Sequence, residues 1–594
     1  MPYRNLLFFK IKPICTILRM IPAKMIRFES KLLSMNRLVI YQLFIRLFTN
    51  TNTTNSPDGE LAVNGCGKFD HITSKALKEI HDMGFTHIWF TGVIEHSTTS
   101  FYDGIEADKA CIVKGKAGSP YAIRDYYDVA ADLSVIQTNR MKEFEALIFR
   151  THEAGLKAII DFIPNHLART YKSEQRPTDQ DDFGQGDDKT LPFHPQNNFY
   201  YLPGESLCLP TASGTDCFQE TPARVTGNDC FTSTPSINDW YETIKLNYGI
   251  DYLNNRSEHF DPIPDTWKKM NHVLSFWAEK GVDGFRCDMA AMVPVAFWAQ
   301  AIYTMKKKWN DLLFIAEIYE PWLYSDFLNL GGFDYLYDKV GFYDTLRNVM
   351  TGQAPATSIS DCWKGVDGFG HRMLNFIENH DEQRIASKYF CHSPLPGIPA
   401  TVVASLISCG GVMLYNGQEV GEDGALPLGY SGDDGRTSIF DYGTMPSLDR
   451  WVNDGNFDGR TLTSDEKKLR ETYQFITRLP NSYRSFQMGG FYDLMWLNHP
   501  LTQFTYGKVY AFLRYDKTEV MLVAVNFSNE ALDADICIPN HAINLIGLKT
   551  HKNTTVKELT SGIHYRSTLE PNGDLKVKTN IGAYGFFIGE FTTY

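Results

Sequence analysis

Apolar and polar positions along this chain fall into a recurring order. A short, nearly unbroken apolar run ends in one or two polar residues, a loop follows, and then a segment of helical period. Val39 to Phe48, His87 to Thr91 and Lys157 to His166 are the first three such runs. Val282 to Cys287, Leu312 to Tyr319, Phe333 to Asp338, Met373 to Asp381 and Gly411 to Tyr415 continue the series. Runs of this kind predict strands buried on both faces, as in a parallel sheet. Ile72 to Met83, Met141 to Ala154 and Thr266 to Lys280 predict amphipathic helices packed on that sheet. Thr463-Ser-Asp-Glu466 predicts a capping box that opens a last helix reaching Leu479, with Pro480 ending it.

The pattern lapses twice. From 167 to 252 the chain is rich in Asp, Gly, Pro and Asn, including Asp179 to Asp188, and has little periodicity. A long irregular excursion inside a compact domain is usually functional. From 484 the runs become short and alternating; Lys508 to Tyr515 and Glu519 to Phe527 flank Asp516-Lys517-Thr518, a predicted hairpin. The fold expected is therefore α/β: a (β/α)8 TIM barrel over 37–483, an irregular domain inserted at 167–252 after the third strand, and a C-terminal β-sandwich over 484–594. Residues 1–36 are basic, with Glu29 the only acidic residue, and Lys10, Lys12, Arg19 and Lys24 interrupt their apolar runs. They make a poor secretory signal and are expected to be a disordered leader or an over-extended start. Nothing later approaches the roughly 18 apolar residues of a membrane span. The expected location is cytoplasmic, with no membrane span.

Chemistry gathers where the runs end. Arg286 and Asp288 lie two apart, so a strand directs both to one face. A carboxylate beside a guanidinium stays ionised and can act as a nucleophile; taken alone, the pair is also an ordinary structural ion pair. Glu317 ends the next run, His380 and Asp381 close the one near 380, and Asp161, Asn165 and His166 close the third. Polar groups delivered at the C-terminal ends of barrel strands describe an active face. Two carboxylates there are what glycoside hydrolysis needs.

These four segments resemble the four signature regions of the α-amylase family of glycoside hydrolases (glycoside hydrolase family 13), in order and spacing, over roughly residues 37 to 594. The resemblance implies a retaining mechanism with Asp288 as nucleophile, Glu317 as general acid/base and Asp381 as the third carboxylate. It implies that Arg286 positions the nucleophile and that His166 and His380 hydrogen-bond the sugar. Ser119 to Asp128 is similar to the family's Y-D-x-x-D-Y segment; Tyr126 takes the place of the tyrosine that stacks on the sugar, and Ala122 stands where many relatives carry Asp. Phe285, Tyr319 and Trp322 also lie near strand ends, where most rings are core. Trp240 to Tyr252 resembles a fifth signature, with Leu246 and Asn247 kept and Lys245 replacing the acidic residue.

In this family the insertion walls the cleft and often binds calcium. Asn165 and an aspartate of the insertion could supply oxygen ligands. Met289-Ala290 replaces the Lys-His of many calcium-binding relatives. No cofactor is expected for the chemistry itself. The implied function is hydrolysis of α-linked glucans or maltooligosaccharides. The alternatives are α-glucan transglycosylation or disaccharide isomerisation through the same intermediate, and, more distantly, a non-catalytic amylase-like subunit. That last reading predicts lost carboxylates and a membrane span, and the chain has neither feature.

Composition narrows the partners. With 57 basic against 70 acidic residues the net charge is −13, which argues against nucleic acid. An aromatic content of 13% suits a neutral ligand such as a glucan. The 11 cysteines are odd in number and scattered. Cys287 and Cys409 read as core thiols, a pair among Cys208, Cys217 and Cys230 could bridge, and no metal-like C-x-x-C occurs. A reducing compartment is the simplest expectation.

Overall fold

The computed structural model describes residues 36–212, 216–498, 507–551 and 554–592. Of the leader expected over 1–36, all but Asn36 lies outside them. Eight parallel strands close into a barrel: Val39–Phe44 (β1), His87–Thr91 (β2), Lys157–Phe162 (β3), Gly284–Cys287 (β4), Leu313–Ala316 (β5), Tyr335–Tyr337 (β6), Met373–Asn375 (β7) and Gly411–Tyr415 (β8). Each pairs with its neighbours in chain order, and β8 returns to β1 with Val39 opposite Val412.

Strand alternation sorts the side chains. Ile40, Trp89, Ile159, Ile315, Leu374 and Met413 fill the barrel interior, while Val39, Tyr41, Leu43, Ile160 and Phe314 belong to the larger core outside it. Two residues further along a strand, the same inward face meets the open end of the barrel. Ile40 is thus followed by Gln42, Ile159 by Asp161, and Ile315 by Glu317. Gly284 precedes Arg286 on that face; a Cβ there would come within 2.8 Å of the Leu313 Cβ.

Several elements end sooner than their apolar runs. β3, β5 and β7 stop at Phe162, Ala316 and Asn375, because the polar residues beyond leave the ladder to face the barrel mouth. Ile45–Phe48 turns helical. The last helix of the barrel, Ser464–Ser482, has the predicted capping box: Thr463 Oγ1 accepts from Glu466 N, and Glu466 Oε2 accepts from Thr463 N. It runs two residues past Pro480, contrary to expectation. Proline forfeits one amide hydrogen bond, a small loss when the helix is within its last turn.

The insertion is held by short antiparallel pairings, His166–Ala168 with Thr243–Lys245 and Tyr201–Leu202 with Ala223–Arg224. Buried Arg169 ties it together, donating to Tyr241 O, Glu220 Oε1 and Thr226 Oγ1. The cysteine reading needs correction. Cys217 is bridged to Cys111, from the loop after β2, and not to a partner inside its own cluster; Cys208 and Cys230 are free. The chain brings Cys111 to the insertion because Ile112 packs in one apolar cluster with Leu207, Leu209 and Tyr241.

Eight antiparallel strands form the C-terminal part, from Gly490–Asp493 to Phe586–Thr592. Val509–Tyr515 and Val520–Asn526 make the predicted hairpin, whose turn is held by Asp516 Oδ1 accepting from Thr518 N and Glu519 N. His564–Leu569 is shared between two partners, Thr555–Glu558 at its first half and Leu575–Ile581 at its second. Among the described residues no helix is long and apolar enough to cross a membrane.

Candidate active site

Adjacent strands set the site. The register places Arg286 opposite Asp161 on β3 and opposite Ile315 on β5. One step beyond, Asp288 N donates to Phe162 O and Glu317 N to Cys287 O, so the two carboxylates leave neighbouring strand ends side by side. The Arg286 guanidinium joins them: Nη1 donates to Asp288 Oδ1 at 2.8 Å, and Nη2 lies 2.8 Å from Glu317 Oε1. Asp161 Oδ1 lies 3.4 Å from Nη1, and Nε donates to Tyr337 Oη at 3.2 Å. The guanidinium sits 5.2, 5.5 and 5.6 Å from the ring centres of Trp89, Tyr121 and Tyr337. Burial works downward on the Arg286 guanidinium, but the carboxylates of Glu317 and Asp288 hold its pKa well above the ordinary value, and it stays charged.

The two carboxylates are held differently. Glu317 Oε1 also accepts from the Tyr319 hydroxyl at 2.5 Å, and Oε2 accepts from Met289 N at 2.8 Å. Met289 reaches it through a left-handed backbone (φ 43°, ψ 44°), strained for a side chain of that size and placed directly after Asp288. Among the described residues Asp288 Oδ2 has no hydrogen-bond partner. Burial and then the neighbouring Glu317 push the Asp288 carboxyl upward, against the pull of Arg286.

Asp381 approaches from the loop after β7. It is the most open of the three acids, with 41% of its side chain exposed. Burial works upward on it, but His380, Arg286 and Arg436 bring it down to about 2, so it is ionised throughout the neutral range. His380 lies between: its Nδ1 is 2.8 Å from Gln42 Nε2, and its Nε2 faces Asp381 Oδ2 at 3.1 Å and the Tyr121 hydroxyl at 2.5 Å.

Asp288, Glu317, Asp381, Arg286 and His380 are therefore brought together. Tyr126 is not. It is buried in the strand Ile123–Val129, its ring near Tyr171 and Phe183, and its hydroxyl donates to Ile163 O and His166 O. No face of that ring is open to a ligand. Tyr121, five residues earlier and before the strand begins, stacks on His380 with ring centres 5.3 Å apart and closes over Arg286. The place given to Tyr126 is corrected to Tyr121; the sequence signal was the first tyrosine of the same segment. His166 contacts Trp240 and Asn165, and burial, then Lys245 and Lys114, hold its ring neutral, with a pKa of about 3. Gln42, Tyr337 and the Met289 amide were not legible, because their roles depend on which strand stands beside which; Tyr319, read as a ring near a strand end, acts instead through its hydroxyl on Glu317.

Asn165 and an insertion aspartate do converge, as a cation site would require, but on an ammonium. Lys245 Nζ donates to Asn165 Oδ1 at 2.8 Å and lies 2.5 Å from Asp229 Oδ1, with a side chain 2% exposed. Asn165 Nδ2 is spent on Gly227 O. A divalent ion about 4 Å from that ammonium would be repelled by about 8 kcal/mol at an effective dielectric of about 20. This donor set does not fit calcium. One other group among the described residues, Glu95, Asp125 and Asp128, is compact enough for an ion. Its Asp125 oxygens already accept from Tyr127 N, Ser173 Oγ, Glu174 N and Gln175 N, and Asp128 is paired with Arg140.

Residues 42–318 match the family model of the α-amylase catalytic domain. Similar proteins include α-amylase MalA of Haloarcula japonica, 26% identical over 394 residues, covering 65% of this chain and 44% of that protein. Cyclomaltodextrin glucanotransferase of Geobacillus stearothermophilus is 23% identical over 523 residues, covering 83% and 60%. The chain thus spans about half the length of these curated relatives. Among solved structures, a maltogenic α-amylase, AmyB of Thermotoga neapolitana, superposes with a TM-score of 0.57 at 20% identity, over 94% of this chain and 99% of that one. At that identity the likeness establishes the fold.

Proposed function

We propose that this chain is a member of the α-amylase family and acts as a retaining glycoside hydrolase of α-linked glucans or maltooligosaccharides. The observation that carries the reading is one guanidinium, Arg286, held between two carboxylates on adjacent strand ends. Neighbouring strands lie about 4.8 Å apart. That spacing suits the roughly 5–5.5 Å between carboxyls of retaining enzymes better than the roughly 6.5–9.5 Å that inversion needs.

In the first step Asp288 Oδ2, the oxygen without a partner among the described residues, attacks the anomeric carbon. The C1–O bond breaks, Glu317 gives its proton to the departing oxygen, and a glycosyl ester forms on Asp288. Glu317 Oε1 is engaged by the Arg286 guanidinium and the Tyr319 hydroxyl, so the acid role requires it to turn from them toward the glycosidic oxygen. In the second step Glu317 takes a proton from water, whose oxygen forms the new bond to C1 as the ester breaks. Ionised Asp381 and His380 Nε2 are placed to receive sugar hydroxyls, with the Tyr121 ring as a floor.

Transfer to a sugar in place of water is the second reading. Trp322, five residues past Glu317, is 77% exposed and leaves an apolar ring free for a sugar. Incubation with starch, maltooligosaccharides, trehalose and sucrose, with identification of products, tests both. Shorter α-glucans or glucose are expected; longer or rearranged products would favour transfer or isomerisation. No reaction with any of the four would overturn the proposal.

A further inference from the structure

Lys245 lies where the insertion meets the barrel, and its surroundings are those of a bound cation. Its ammonium is buried between Asn165 Oδ1, from the loop after β3, and Asp229 Oδ1, from the insertion. The Tyr252 ring lies 5.6 Å away and presents its electron-rich face. Asp229 adopts a left-handed backbone (φ 61°) to make this contact, uncommon for a residue other than glycine. Around it the backbone is continuous: His166 pairs with Lys245, Lys245 N donates to Val225 O, and Leu246 N donates to Asn165 O. Three separate chain segments therefore meet at one positive charge.

We propose that the Lys245 ammonium is a built-in cation that clamps the insertion to the catalytic face and takes the place of a structural metal there, so that this junction is independent of calcium. A covalently attached cation differs from a bound one in a simple way. It cannot be removed by dilution or chelation, so the stability it brings does not vary with free-ion concentration. Its loss by mutation leaves buried Asn165 Oδ1 without its donor and Asp229, 31% exposed, without its counter-charge.

Lys245 is also a positioning residue for His166, its partner across the pairing and next in sequence to Asn165. Where the proposed activity holds, loosening this junction displaces His166 and weakens substrate binding before it slows the chemistry. The clamp itself rests on the contacts and not on that activity.

The test uses the full chain. Melting temperature is measured with excess chelator, with added calcium, and with neither, for the wild type and for Lys245→Met and Asp229→Asn. The wild type should melt at the same temperature in all three conditions. Lys245→Met should melt several degrees lower and Asp229→Asn less so, and with a maltooligosaccharide substrate Lys245→Met should raise KM more than it lowers kcat. A wild type that loses stability on chelation and regains it with calcium would overturn the proposal. So would a Lys245→Met protein with wild-type melting temperature. Should Lys245→Met fail to fold, the wild-type chelation series and Asp229→Asn still decide the matter. If the melting results hold while no substrate turns over, the functional reading fails and the clamp stands.

Discussion

One guanidinium meets three carboxylates here, and the acids can be neutralised singly without emptying the site. Glu317→Gln keeps acceptor and shape but has no proton to give, so kcat should fall by about 10²–10⁴, the usual worth of a general acid/base. Asp288→Asn should lose turnover at least as completely, with a melting temperature close to wild type in both; near-normal kcat in either variant would refute the assignment. The tyrosines make a sharper contrast. Tyr121→Phe removes a hydrogen bond to His380 and should lower kcat/KM about 10-fold, from roughly 1.5 kcal/mol. Tyr126→Phe strands two buried carbonyls and should cost about 1–3 kcal/mol of stability with kcat/KM unchanged. Reversed effects would restore Tyr126 to the site. The three acids and Arg286 were legible because each closes an apolar run. Tyr121 and Tyr126 share one short segment, and only the start of the strand at Ile123 decides which ring faces the cleft.

Elements were legible where burial writes a long signal and obscure where contacts come from afar. All eight barrel strands stand within their apolar runs, since a strand covered on both faces is apolar at most of its positions. Their ends were overestimated, because Glu317 and Asp381 sit in or beside those runs yet leave the ladder. The insertion offered composition and no period, and its order comes from Arg169, Lys245 and the bridge between Cys111 and Cys217, which spans 106 residues. No spacing rule could pair cysteines that far apart. That bridge should be visible in solution: a reductant, or Cys111→Ser, should lower stability by about 2–4 kcal/mol. Thermal unfolding with and without reductant checks this, and coincident curves with all cysteines titrating as free thiols would contradict the pairing.

For the whole molecule, stability should fall as the medium becomes alkaline. Glu95 is buried, neither of its oxygens has a hydrogen-bond partner among the described residues, and burial first, then Asp128 and Asp125, push its carboxyl up to about 9 from an ordinary 4.5. Between those values the folded chain holds a proton that the unfolded chain has released. Stability from this group is then greatest at the acid end of the window and declines as pH rises toward about 9. Glu95→Gln cannot titrate, so its melting temperature should decline less steeply than that of the wild type across the same range. Parallel profiles would mean that Glu95 is ionised in the fold. The barrel and its C-terminal strands were readable from pattern alone; this carboxyl was not, because position 95 has to be brought against 125 and 128, thirty residues on, first.

The central claim is that Asp288 attacks the sugar and carries it. Proton NMR of the first-formed product tests this most directly, recorded before mutarotation with an α-linked maltooligosaccharide as substrate. Two displacements at one carbon return the original configuration, so the α-anomer should appear first and the β-anomer only later. A β-anomer appearing first would mean a single displacement by water. It would contradict the covalent intermediate, the role of Asp288 and the account built on them.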